Sequence, residues 1–160
     1  MMKMGVVLGR GGHTTETLGL VDLLGSNFDY VYFVDVLDRI VERKIRFPGL
    51  VLPLLIPRYL PSDSKILSVI RTLSSFVLSL FFILLFRPRA IVSCGSGLTI
   101  PVFQAARILG IKTIYVESIA RVTTLSGTGK LLLGKCDLFF SQWPQLANLH
   151  PEIEYGGLIL

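Results

Sequence analysis

The chain has 160 residues, of which 51% are hydrophobic and only 17% charged, too apolar for an ordinary soluble domain yet long enough for one domain with a core that needs no disulfide or metal. Its two cysteines, Cys94 and Cys136, lie far apart with no C-x-x-C spacing, so neither a disulfide framework nor a zinc site is indicated. The net charge is +5, but Arg39 to Arg89 holds nine Lys/Arg against Glu42 and Asp63, a window of +7 that leaves −2 elsewhere; because this block brackets the most apolar stretch, it favours anionic lipid over nucleic acid.

In chain order, Met4 to Gly9 reads as a buried strand running into a glycine turn, with no room before it for a signal peptide. Thr14-Thr15-Glu16 opens a helix to about Leu24, with Thr14 or Thr15 as its cap. Phe28 to Val36 is a second strand, rich in aromatic and β-branched residues. A charged helix or loop covers Asp38 to Arg46, and Gly49 to Ile56 is a third strand weakened by Pro53. Ile66 to Phe86 is a long apolar helix stopped by Pro88. Arg89 to Cys94 is a strand entering Gly95-Ser96-Gly97, and Leu98 to Leu109 is a helix ended by Gly110. Lys112 to Glu117 is a short strand, a loop with Ser118 and Arg121 follows, and Leu131 begins a short helix at most. Cys136 to Phe140 is a last strand, and the tail from Tyr155 to Leu160 is apolar.

Strands alternate with helices and read as nearly unbroken apolar runs, as in a parallel sheet covered on both faces. The expected fold is therefore a Rossmann-like α/β domain over 1–160, with its ligands outside the carboxyl ends of the strands. Gly9 to His13, Asp35, Gly95 to Gly97 and Glu117 to Arg121 all stand at such ends.

Gly9-x-Gly11-Gly12-His13 lies between strand and helix, where glycines let backbone N–H groups approach a phosphate and the helix dipole adds attraction. A dinucleotide fingerprint would need glycine where Thr14 stands, although Asp35 falls where a ribose-binding acid would; a tight turn without ligand is the plainer alternative. Gly95-Ser96-Gly97 repeats the arrangement, so the two turns suit one diphosphate gripped from two sides. Cys94 and Leu98 at the outer positions rule out a G-x-S-x-G nucleophile. Gly127-Thr128-Gly129-Lys130 looks like part of a P-loop, but Thr124 and Leu131 break the pattern.

His13 sits at the mouth of a helix N-terminus, where the dipole favours a neutral ring able to accept a proton; bracing the turn is the other use of such a residue. Glu117 can be an ion-pair partner of Arg121, or a hydroxyl ligand or base beside His13. Asp137 reads as a turn or cap residue. For Ile66–Phe86 three readings compete: a buried crossover helix, a full span, and a helix lying in the membrane interface. The 15 uncharged residues from Thr72 fall short of a span. The interfacial reading would place Phe76, Leu80 and Phe81 in lipid, with Arg71 and Arg87 among the flanking bases.

Five motifs then occur in a fixed order: Gly9-x-Gly11-Gly12-His13-Thr14-x-Glu16, Tyr115-Val116-Glu117-Ser118-x-Ala120-Arg121, Leu125-Ser126-x-Thr128-Gly129-Lys130-Leu131-Leu132, Gln142-Trp143-Pro144 and Tyr155-Gly156-Gly157. Together, over nearly the whole chain, they resemble the ALG fourteen family of oligosaccharide biosynthesis proteins. The resemblance implies a fold like the N-terminal half of a GT-B glycosyltransferase, comparable to the peptidoglycan enzyme that glycosylates lipid I. It implies an inverting transferase subunit that elongates a polyprenyl- or dolichyl-diphosphate-linked sugar from a UDP-sugar. A separate ALG thirteen-like subunit would bind the donor; the chain is too short to hold both halves.

By that analogy Gly9, Gly11, Gly12, Thr14, Gly95, Ser96 and Gly97 hold the acceptor diphosphate. His13 is the first candidate base and Glu117 the second, with Glu16, Ser118 and Arg121 as further site candidates. No cofactor, metal or nucleic acid is implied. Eukaryotic members carry an N-terminal membrane helix that has no counterpart here, so anchoring falls to Ile66–Phe86. The expected place is the cytoplasmic face of a membrane, monotopic or peripheral: plasma membrane in a prokaryote, endoplasmic reticulum in a eukaryote. Two different readings remain: a self-contained nucleotide-binding domain, and a non-catalytic membrane scaffold.

Overall fold

A computed structural model describes residues 1–58 and 62–159, so Leu160 of the apolar tail lies outside the described residues. Seven parallel strands form one sheet in the order β3-β2-β1-β4-β5-β6-β7. They are β1 (Met2–Val7), β2 (Phe28–Asp35), β3 (Gly49–Leu54), β4 (Ala90–Ser93), β5 (Lys112–Val116), β6 (Leu138–Ser141) and β7 (Glu154–Tyr155). The helices are α1 (Gly12–Leu24), α2 (Val41–Lys44), α3 (Lys65–Phe86), α4 (Thr99–Ile108), α5 (Gly127–Leu132) and α6 (Pro144–Leu149). The expected Rossmann-like α/β fold is the one observed.

Alternate residues of each strand feed two apolar layers, as the two-residue repeat of a strand requires. Met4, Val6 and Leu8 pack with Tyr30, Tyr32, Val34 and the α1 residues Leu18 and Val21. Val7, Phe33 and Ile91 point the other way, into a larger core with Ile83 of α3, Val102 and Phe103 of α4, Leu132 of α5 and Leu146 of α6. Pro53 is tolerated because β3 is an edge strand, paired only with β2 in the sheet.

The chain winds outward from β1 to β3, then α3 carries it back across the sheet to β4, beside β1. The carboxyl ends of β1 and β4 therefore form the switch point at which such sheets bind ligands. Ser75, Ser79 and Ile83 line the buried side of α3 at every fourth position. The Ser75 hydroxyl donates to the Leu55 carbonyl at 2.7 Å and accepts from the Leu55 N–H at 3.0 Å, pinning α3 to the segment after β3.

Several expected boundaries change. α1 begins at Gly12 with Gly11 as its cap, because the Thr14 hydroxyl donates back to the Gly9 carbonyl at 2.6 Å instead of capping forward. α5 starts four residues before Leu131, capped by the Ser126 hydroxyl accepting from the Gly129 N–H at 2.9 Å. α6 and β7 have no counterpart in the sequence reading; both are short, and β7 gains its pairing only from β6. Asp137 ties down the start of β5, accepting from the Lys112 ammonium, the Thr113 N–H and the Thr113 hydroxyl. The hydrogen bond from Lys112, with that from the Thr113 N–H, holds its carboxyl below the usual range.

The lipid-facing assignment on α3 also needs correction. Phe76 and Leu80 are half-buried against the larger core, so of the three named residues only Phe81 is exposed. The outward stripe is instead Ile66, Val69, Ile70, Leu73, Val77, Phe81, Leu84 and Leu85, at the three- and four-residue spacing of one helix face. Arg71 is not a snorkelling flank, being paired with Asp63 at 2.7 Å. Arg87 is exposed at the left-handed C-cap. The basic block is not one patch: Arg46 bridges to Asp22 on the α1 side of the sheet, while Arg58 lies at the strand ends.

Candidate functional site

A cleft of about 380 Å³ opens at the switch point, lined by Arg10, His13, Ile56, Arg58, Gly95, Ser96, Gly97, Arg121, Ser126, Gly127 and Thr128. Three arginines face it, and among the described residues no carboxylate stands in its wall. The first turn and α1 bring Arg10 and His13, the turn after β4 brings residues 95–97, and the segment after β5 brings Arg121 and Ser126 to Thr128.

The two glycine turns meet around the His13 side chain. A Cβ on Gly95 would stand 3.0 Å from both His13 Cε1 and Nδ1, and Gly95 has φ +69°, a left-handed conformation open to glycine. A Cβ on Gly9 would stand 2.9 Å from the Cβ atoms of His13 and Ser96. These two glycines thus make room for the side chains and do not themselves form an open cradle. His13 Nδ1 is buried with no hydrogen-bond partner among the described residues, so Nε2 is the nitrogen turned to solvent. Cys94, behind the second turn, is no nucleophile, since burial pushes its thiol up to about 12.

Glu117 lies behind the cleft wall with no exposed surface. Its Oε1 accepts from the Ser118 N–H at 3.0 Å and the Tyr115 hydroxyl at 3.4 Å. Its Oε2 accepts from the Ser126 N–H at 3.0 Å and the Ser126 hydroxyl at 3.1 Å. Burial, with the Glu117 charge nearby, keeps the Tyr115 phenol far above its usual range, a neutral donor. The Glu117–Arg121 ion pair, one of the two alternatives, is not formed: Glu117 closes the loop that presents Arg121. The Gln142 amide donates to the Glu117 carbonyl at 3.1 Å and the Trp143 indole to the Ile119 carbonyl at 2.6 Å, fixing the same loop.

Of the sequence-derived site residues, His13, Gly95, Ser96, Gly97 and Arg121 meet in the cleft. Gly11 and Gly12 are exposed at the start of α1 beside it. Gly9, Thr14, Glu16, Glu117 and Ser118 are buried behind it. Glu16 accepts from the Ser118 hydroxyl at 2.8 Å, tying α1 to the loop after β5. Thr14 cannot touch a ligand directly, with its hydroxyl on Gly9. The sequence reading missed Arg10, Arg58 and the cleft role of Ser126 to Thr128. Arg10 was legible as the one side chain inside the first glycine turn; nothing local marks Arg58.

The family described as "Oligosaccharide biosynthesis protein Alg14 like" matches residues 4–159. The "UDP-N-acetylglucosamine transferase subunit ALG14" of Yarrowia lipolytica (strain CLIB 122 / E 150) is 32% identical, covering 99% of this chain and 81% of that protein. The Homo sapiens protein of the same name is 33% identical, covering 97% and 82%. Among solved structures, MurG of Acinetobacter baumannii superposes with a TM-score of 0.73 at 15% identity. That match covers 91% of this chain but 43% of MurG, so the chain spans less than half the length of that structure and shares its fold. On motifs, fold and full-length similarity together, the chain belongs to the Alg14 family of oligosaccharide biosynthesis proteins.

Proposed function

We propose that the chain is the acceptor-side subunit of an inverting, UDP-sugar-dependent glycosyltransferase. It adds an N-acetylglucosaminyl or related hexosyl unit to a sugar carried on polyprenyl or dolichyl diphosphate. The observation that carries this reading is the cleft at the switch point, walled by three arginines and two glycine turns around one histidine, without a carboxylate among the described residues. Guanidinium forks and backbone N–H groups are the donors a diphosphate needs, and they meet its charge without a cofactor. The names of the relatives support UDP-N-acetylglucosamine as donor.

In this reaction His13 Nε2 takes the proton of the acceptor hydroxyl as that oxygen attacks the anomeric carbon. The bond from that carbon to the UDP oxygen breaks, and UDP leaves with the bonding pair. Glu117 positions the loop and takes no proton, since both its oxygens are already accepting. The donor is held by a partner resembling the ALG thirteen subunit; the word subunit in the relatives' names supports a complex. The outer stripe of α3 lies in the cytoplasmic leaflet, of the plasma membrane in a prokaryote or the endoplasmic reticulum in a eukaryote. A span is disfavoured because Ser75, Ser79 and Ile83 are packed against the protein.

Transfer of isotope-labelled N-acetylglucosamine to a lipid-diphosphate sugar tests the reading, with and without the co-expressed donor subunit. Product is expected only from the pair. Transfer by the pure chain alone overturns the division of labour, and no transfer by a folded complex overturns the reading.

A further inference from the structure

Near the start of α1, two buried side-chain atoms have no hydrogen-bond partner among the described residues: His13 Nδ1 and Glu16 Oε2. Glu16 is 5% exposed. Its Oε1 accepts from the Ser118 hydroxyl at 2.8 Å, tying α1 to the loop after β5. That tie needs one oxygen, and a second one buried without a donor is costly.

The two atoms are complementary. For Nε2 to accept a proton, the neutral ring must carry its hydrogen on Nδ1, a donor buried here without an acceptor. Glu16 Oε2 is an acceptor buried without a donor. Residues three apart on a helix are neighbours on one face, and both side chains reach the turn after β4. His13 Nδ1 stands 3.0 Å from the place of a Cβ on Gly95. Burial pushes the adjoining Cys94 thiol up to about 12, and the Glu16 charge adds to that rise. The other groups around the ring are engaged or of the wrong sign. The Tyr115 hydroxyl and both Glu117 oxygens are bonded among themselves and to Ser118 and Ser126, and Arg10, Arg58 and Arg121 on the cleft side are cations.

We propose that Glu16 is the positioning residue of His13: its carboxylate holds the ring hydrogen on Nδ1, leaving the Nε2 lone pair for the acceptor hydroxyl, and steadies the charge the ring then gains. The proposal rests on reading His13 as the base. The acceptor proton goes to Nε2, Nδ1 keeps its own, and Glu16 takes none, as for the acid of a catalytic triad. No hydrogen bond joins the two residues in the free chain; catalytic hydrogen bonds are often long without substrate and tighten when it binds.

The test is ring-nitrogen NMR of the purified full chain at a pH where the ring is neutral, with His13→Ala separating its signals from those of His150. Acceptor KM and kcat are measured in the complex with the donor subunit, and a melting temperature is taken for each variant. Wild type should carry Nδ1–H as its major tautomer. Glu16→Gln keeps an acceptor for Ser118 and removes the charge. It should shift the ring toward Nε2–H and lower kcat by roughly ten- to a thousandfold, less than where the acid is bonded directly to the histidine. Acceptor KM should stay within about twofold, as for an interaction made in the transition state. Glu16→Asp, which keeps the charge, should retain more kcat than Glu16→Gln. Ser118→Ala cuts the tie and keeps the charge, so it should lower the melting temperature and leave the tautomer as in wild type. Nε2–H as the major wild-type tautomer overturns the proposal, and needs no variant to fold. An unchanged tautomer or unchanged kcat in folded Glu16→Gln overturns it too, as do equal losses of kcat in Glu16→Gln and Ser118→Ala. Full kcat in His13→Ala overturns the reading of His13 as base, and the proposal with it, whatever the tautomer.

Discussion

Room for the His13 side chain exists because side chains are missing at Gly9, beside its Cβ, and at Gly95, beside its ring. If His13 takes the acceptor proton, His13→Ala should lower kcat of the complex by roughly 10²–10⁴-fold, the range for a positioned base. Acceptor KM should move little if, as proposed, backbone N–H groups and arginines hold the diphosphate. Loss of thermal stability with full activity per folded molecule would make the histidine a brace. Gly129 plays a comparable part for Glu117. It lies inside α5, where alanine would ordinarily help by about 1 kcal/mol, but a Cβ there would fall inside the Glu117 carboxylate. Glu117 is fixed by Ser118 and Ser126 and cannot yield. Overpacking costs about 1–3 kcal/mol, so Gly129→Ala should lower stability in denaturant titration, and a gain would show the Glu117 site to be soft. The motif around Gly129 was visible in the sequence as a failed P-loop; its partner, 12 positions away across a strand end, was not.

At the scale of the element, α3 combines two roles that its composition alone cannot separate. Its 22 residues are long and apolar enough to cross a membrane. In the fold it is a crossover helix whose serine seam is packed and whose opposite face is bare. Leu73, Val77 and Phe81 are 57%, 60% and 58% exposed. Replacing two of these three with Asp should leave the fold intact and, if this stripe meets lipid as proposed, abolish flotation with anionic liposomes, because a charge there opposes insertion. Equal flotation by the folded variant would remove lipid as the partner of this face. Leu80→Asp is the contrasting substitution: Leu80 packs against the larger core, so that change should lower the melting temperature.

For the whole molecule, the return of the chain through α3 decides where chemistry can occur. It sets β4 beside β1, and so brings two turns more than 80 residues apart around one histidine. Period, composition and glycine spacing were enough to give the parallel α/β fold, most strand positions and the two glycine turns, and the five ordered motifs carried the family resemblance, because each is written in contiguous residues. Strand order, the inner and outer faces of α3 and the burial of Glu117 depend on contacts between segments distant in sequence. Arg58 reaches the cleft, and Arg10 meets Asp35, only when β1, β2 and the segment after β3 end on one edge. A carboxylate at a strand end reads the same from sequence whether it faces ligand, solvent or a loop. The bonds to Ser118, Ser126 and Arg10 decided that, and tertiary packing alone creates them.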